Sequence, residues 1–214
     1  MLPTPKQPHR FHRLKKHKTD GQARYERLAP AGITVELRNL SEQSLNALER
    51  DSDVRASDLA LLADALKINL EIGEVLLPDC ILDPGFRQNA SGTTIGMLES
   101  VMSHLVAAGG KVGAVTRNES IGNELVRRVG EYGFASHFVD LEVLNLSFNA
   151  INDEEQWHRA LKIAVDCLAS KGATVVINGC SAVNVNQSQL SIPVVDPAEL
   201  ALKIIADQMV SKVN

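Results

Sequence analysis

Two cysteines follow short apolar runs of matching design, Glu74-Val-Leu-Leu-Pro-Asp-Cys80 and Thr174-Val-Val-Ile-Asn-Gly-Cys180. Moving a proton from one face of a carbon next to a carbonyl to the other face needs two acid/base groups, one deprotonated and one protonated. A thiolate and a thiol can fill those roles, because a thiol titrates near about 8.5 and nearby donors lower it further. Neither run places a lysine or arginine beside its cysteine. The backbone amides within residues 83–85, those of Asp83 and Gly85 since Pro84 has no N–H, and of residues 179–182 are therefore the expected donors to a thiolate or to a developing enolate oxygen. The competing reading is that both residues are small buried hydrophobes, the common state of a cysteine outside a disulfide; two of them in matching contexts favour chemistry. Cys167 lies within a helical stretch on the side of Ala160 and Ala164 and reads as core.

The elements that carry these residues are those of an α/β protein. From residue 33 onward, short β-branched runs at 33–38, 74–78, 111–116, 138–144, 173–178 and 192–195 alternate with helical stretches at 55–67, 94–108, 119–132, 153–171 and 197–212. This alternation predicts parallel sheets covered by helices. In the first helical stretch Leu59, Leu62, Ala63 and Leu66 share one face, which is expected to be the packed one. Trp157 and Leu161, four residues apart, read as helix core. In open parallel sheets ligands collect outside the carboxyl ends of strands, where both Cys80 and Cys180 fall.

Composition narrows the classes. The chain has 214 residues, 44% apolar and 22% charged, with no apolar run of membrane-spanning length. No signal-like h-region is present near the start, so a cytoplasmic location without membrane partners is expected. Three cysteines, none in a metal-ligand spacing, exclude a disulfide framework. Lys6, Arg10, Arg13, Lys15, Lys16 and Lys18 precede the first acidic residue, Asp20. Without a nucleic-acid module or a stacking series, this basic start reads as a solvated face or frayed terminus, and no nucleic-acid partner is expected. His104, His137 and His158 stand singly in separate elements, and no glycine-rich phosphate loop follows any strand.

Four segments, in order, resemble the Asp/Glu/hydantoin racemase superfamily, and within it the hydantoin (allantoin) racemase branch. They are Cys80-Ile-Leu-Asp-Pro-Gly85, Gly110-Lys-Val-Gly-Ala-Val-Thr116, Gly179-Cys180-Ser-Ala and Ile192-Pro-Val-Val-Asp-Pro197. The resemblance implies two pseudo-symmetric lobes, residues 1–93 with 197–214 and residues 94–196, with a small-molecule substrate between them and no metal or organic cofactor. It implies Cys80 and Cys180 as the two bases, and substrate contacts from Thr116, Asn118, Gly179, Ser181, Asp83 and Gly85. It also allows a homo-oligomer. Asp83-Pro84-Gly85 is at the same time a turn signal in any protein.

The departures are specific. The family opens with a strand ending in an Asn-Pro-Asn-Thr-like loop, whereas residues 1–7 supply neither strand nor asparagine. The first strand is therefore expected to be missing, leaving an exposed sheet edge or gap. Ile81 and Leu82 are bulkier than expected beside the first cysteine, and Ala182-Val183 replaces a small-then-Met pair. The expected function is a cofactor-independent isomerase, a racemase of hydantoin-like or amino-acid-like substrates. The alternatives are a single-cysteine isomerase or decarboxylase of the same fold, and a non-catalytic member that kept only the lobes.

Overall fold

The computed structural model describes residues 9–14, 19–38, 48–86 and 94–211. Their strands form two sheets in which every paired neighbour runs parallel. In the first sheet β1 (His9–Leu14) lies between β2 (Ile33–Arg38) and β3 (Val75–Pro78). In the second, β4 (Val112–Thr116) lies between β5 (Phe138–Val143) and β6 (Val175–Asn178), with β7 (Val194–Val195) beyond β6. All residues of β4 and β6 are buried, which matches their uninterrupted apolar runs. The α-helices among the described residues are α1 (Thr19–Leu28), α2 (Asp51–Ala65), α3 (Met97–Ala107), α4 (Glu119–Glu131), α5 (Glu154–Ser170) and α6 (Pro197–Ser211).

The expectation of a missing first strand is overturned. His9–Leu14 is the central strand of its sheet, in register with Ile33–Arg38 on one side and, through Phe11 to Leu14, with Val75–Pro78 on the other. Its basic sequence has no β-branched residue and so a weak strand signal, and parallel backbone pairing on both sides overrides that weak propensity. Residues 1–7, where the family's opening strand was sought, lie outside the described residues.

Local chemistry explains where the other elements begin and stop. Asp53, in the first turn of α2, accepts hydrogen bonds from the Arg50 and Glu49 amides at 2.9 and 3.0 Å, so that helix starts four residues earlier than periodicity suggests. Asn118 and Asp153 cap α4 and α5 by accepting from Ile121 N and Gln156 N, each at 2.9 Å. Gly133 and Gly172, at φ 85° and 95°, supply the left-handed turns that stop α4 and α5.

The face of α2 that packs differs from the expected one. Leu59 and Leu66 are 68% and 71% exposed, while Val54, Leu61 and Ala65 are buried. Leu61 and Ala65 pack with Leu76 of β3, so the sheet selects a stripe rotated from the most apolar one. Elsewhere the core falls into two main clusters. The larger joins Leu77 of the first sheet to Val112, Ala114 and Ile177 of the second through Met97, Leu98, Val101 and Met102 of α3 and Ala198, Ala201, Leu202 and Ile205 of α6. The smaller places Trp157, Leu161, Val165 and Leu168 of α5 against Val115 and Val176. No helix among the described residues is long and apolar enough to cross a membrane.

Replacing Leu61 by Ala is expected to destabilise the fold by about 2–5 kcal/mol, and replacing Leu59 by Ala to change stability by no more than about 0.5 kcal/mol. Urea unfolding of the two variants checks this choice of face.

Candidate active site

Both cysteines stand just beyond the carboxyl ends of parallel strands, Cys80 after β3 and Cys180 after β6. Cys80 packs against the larger apolar cluster and Cys180 against the smaller one. The residues flanking them meet directly. Ser181 Oγ donates to Asp79 Oδ1 at 2.6 Å, and the buried Tyr25 hydroxyl lies 3.3 and 3.2 Å from the two Asp79 carboxylate oxygens and 3.3 Å from the Ser181 carbonyl. The first-sheet and second-sheet cysteine loops are thus joined within one residue of each cysteine.

Behind the second loop, Asn178 Nδ2 donates to the Cys180 and Val183 carbonyls at 3.1 and 3.4 Å. Gly179 lies so close to β4 that an added Cβ would stand 2.2 Å from the Val115 carbonyl oxygen. Its amide donates to that same oxygen at 2.8 Å. A glycine is required here by backbone approach.

The thiol environments are not those the loops suggested. The Gly179 amide is committed to Val115, the Gly85 amide donates to Asp58 Oδ1 at 3.2 Å, and the Asp83 amide donates to the Cys80 carbonyl at 3.2 Å. At Cys80, burial pushes the thiol up to about 12, with the Asp79 and Asp83 carboxylates adding to it. The Leu82 amide and the Arg128 guanidinium pull the other way without reversing it. Ile81 and Leu82, 2% and 1% exposed, supply much of the apolar wall beside this cysteine. Cys167 departs from the core reading: its thiol lies 3.0 Å from Glu142 Oε1, which Lys171 also approaches at 2.6 Å, and that hydrogen bond to Glu142 holds its proton more tightly.

The remaining residues carried over from the resemblance take defined structural positions. Asp83, fully buried at φ 47°, caps α3 by accepting from Leu98 N at 2.8 Å and Glu99 N at 3.0 Å. Burial raises its carboxyl to about 7 against the pull of those amides, Tyr132 and Arg128. Gly96 is needed opposite it, since an added Cβ would meet Asp83 Oδ2 at 2.6 Å. Gly85, at φ 68°, turns the chain against α2. Thr116 is buried at the end of β4 and donates to the Asn118 carbonyl at 3.2 Å. Asn118, besides capping α4, donates through Nδ2 to the Leu48 carbonyl at 2.8 Å.

Sequence reasoning passed over three buried arginines that join elements of the two sheets. Arg24 of α1 pairs with Asp196 and donates to Asn184 Oδ1 at 3.1 Å and the Val183 carbonyl at 3.4 Å. Burial nevertheless raises the Asp196 carboxyl, with Arg24 opposing it. Arg117, after β4, reaches the Leu48 carbonyl and Glu49, each at 2.9 Å. Arg128 of α4 donates to the Asp83 carbonyl at 2.8 Å and pairs with Asp58 of α2 at 2.7 Å and Glu124 at 2.6 Å. Arginines in polar stretches of sequence read as solvated, and only the fold reveals their burial.

A cavity of about 420 Å³ lies beside this network, lined by Asn184, Asp196, Glu199 and Lys203 among others. A groove of about 360 Å³ separates α2 from α4. Neither is lined by a cysteine. Among the described residues no group of three or more His, Cys, Asp or Glu is arranged to hold a metal ion.

Residues 20–205 match the family model described as Asp/Glu/hydantoin racemase. Among solved structures, the chain is similar to the allantoin racemase from Klebsiella pneumoniae at 20% identity and TM-score 0.74, covering 95% of this chain and 88% of that one. It is similar to the allantoin racemase from Pseudomonas fluorescens at 13% identity and TM-score 0.79, covering 95% and 92%. The maleate isomerase from Pseudomonas putida shares the fold at 13% identity and TM-score 0.61, covering 94% and 92%. No curated protein sequence gives a significant match.

Removing the Arg128 head group leaves Asp58 without its cation and the Asp83 carbonyl without its donor, so Arg128→Ala is expected to cost about 3–5 kcal/mol. The exposed Arg159, paired with Glu155, is expected to tolerate the same change within about 0.5 kcal/mol. Asp83 gives a pH signature. Its folded carboxyl keeps a proton up to about 7 while the unfolded one releases it near 3.8. Folding therefore takes up a proton between those values, and this residue's contribution falls as pH rises through that window. The stability of Asp83→Asn relative to the wild type is expected to rise from pH 4 to pH 7, read by urea midpoints at each pH.

Proposed function

The chain belongs to the Asp/Glu/hydantoin racemase family, and on that premise we propose that it is a cofactor-independent racemase in which Cys80 and Cys180 work from opposite sides of a substrate carbon. Family membership supports an enzyme of the racemase or isomerase class. The observation that carries the two-cysteine reading is the 2.6 Å hydrogen bond between Asp79 and Ser181, which brings the loops bearing the two thiols together. The favoured substrate is hydantoin-like, with amino-acid-like substrates next. Residues 1–93 with 197–214, and 94–196, serve as the two lobes; the separation of the strands into two sheets supports this division. The proposed compartment is the cytoplasm.

In this reading a Cys180 thiolate removes the proton on the carbon next to the carbonyl. The electron pair passes to the carbonyl oxygen as an enolate, and the Cys80 thiol delivers its proton to the opposite face. The enzyme is left with Cys180 as thiol and Cys80 as thiolate, the state that runs the reverse reaction. The high proton affinity of Cys80 supports its role as the first donor.

The same observation favours a second reading, in which one cysteine alone acts, as nucleophile or proton donor, and the enzyme is a cis–trans isomerase or a decarboxylase of the same fold. Solvent deuterium separates the two. With allantoin, 5-substituted hydantoins, aspartate and glutamate as substrates in D2O, the racemase reading expects deuterium at the α-carbon, appearing with hydantoin-like substrates first. Cys80→Ser and Cys180→Ser should each slow it by at least about 100-fold. Absence of exchange with every substrate, beside turnover of maleate, would establish the second reading instead.

A further inference from the structure

Asp79 separates Pro78, the last residue of β3, from Cys80. Its carboxylate accepts the Ser181 hydroxyl at 2.6 Å, within the range of charge-assisted O–H···O⁻ bonds, which are about twice as strong as neutral ones. Ser181 is 7% exposed and Tyr25 is fully buried. The Tyr25 oxygen lies 3.4 Å from Arg24 Nη1, so a cation backs the hydroxyl that faces Asp79. One buried side chain of α1 therefore touches the residue before Cys80 and the residue after Cys180.

We propose that Asp79 is a positioning residue of the site, clasping the Cys80 loop to the Cys180 loop through Ser181 and Tyr25 and assigning the proton-donor role to Cys80. Its catalytic meaning rests on the two-cysteine reading above, while the clasp itself is read without substrate.

Two consequences follow from the geometry. The single proton of the Ser181 hydroxyl is committed to Asp79, so Ser181 serves the loop junction before any ligand. The Asp79 carboxylate is also a fixed negative charge one residue from Cys80, and a thiolate there must form against it. The groups that act on that thiol from the surrounding elements are Asp79 and Asp83, which oppose its ionisation, and Arg128 and the Leu82 amide, which favour it. Asp79 stands nearer in sequence than the other charges and faces both loops.

The test uses the full chain without substrate. Iodoacetamide labelling of each cysteine is followed by mass spectrometry over a pH series, and amide hydrogen exchange is followed over residues 179–183. Asp79→Asn keeps shape and an acceptor for Ser181 but removes the charge. It is expected to speed Cys80 labelling about tenfold at a fixed pH near 8.5, the equivalent of one pH unit of thiol titration. Ser181→Ala keeps the charge and cuts the tether, and is expected to raise exchange over residues 179–183 several-fold without speeding Cys80. Cys80 labelling unchanged in Asp79→Asn, or exchange unchanged in Ser181→Ala, overturns the proposal. Failure of the racemase reading shows separately, as absent deuterium exchange in substrate while these thiol and amide changes persist.

Discussion

Three buried guanidinium groups, on Arg24, Arg117 and Arg128, join elements of one parallel sheet to elements of the other. Removing a cation from water costs several kcal/mol unless fixed partners replace the lost solvation. Each arginine meets that demand by reaching across: Arg24 from α1 to Asp196 and the Val183 carbonyl, Arg117 from the end of β4 to Glu49 and the Leu48 carbonyl, Arg128 from α4 to Asp58 and the Asp83 carbonyl. The planar donor fork suits this work, since one side chain satisfies a carboxylate and a carbonyl together. If the sheets slid relative to one another, all three charges would lose partners at once.

Within that frame the strand ends carry the two proposed bases. Parallel strands β3 and β6 leave Cys80 and Cys180 at corresponding positions, and Tyr25, Asp79 and Ser181 join the two loops. The surroundings of Cys80 are apolar and negatively charged, and they hold its proton. A two-base reaction uses that asymmetry, because it must begin with one thiol charged and the other not. The turn after Cys80 is fixed by Asp83, which caps α3 from a left-handed backbone, and by Arg128 behind it.

Much of this was legible in the sequence because the signals are local. Uninterrupted runs such as Val112–Thr116 and Val175–Asn178 announce buried parallel strands, and glycines mark where α4 and α5 stop. The paired strand-end cysteines stood out for the same reason. His9–Leu14 was missed because its place at the centre of a sheet comes from pairing with two distant strands and not from its own composition. The packed face of α2 was misread because the most apolar stripe is not the one that meets Leu76. Arg24, Tyr25 and Asp79 were silent in the sequence, since their partners lie up to 172 residues away and no motif spans such a distance.

In the proposed mechanism two thiols from different sheets confront one another across a single site. A short bifunctional thiol reagent, applied to the native chain at mildly alkaline pH and followed by peptide mapping, tests it most directly. The account predicts one intramolecular bridge between Cys80 and Cys180, lost on replacing either residue by serine, with Cys167 left out of it. Separate single adducts on Cys80 and Cys180 with no bridge, under conditions where both thiols react, would contradict it.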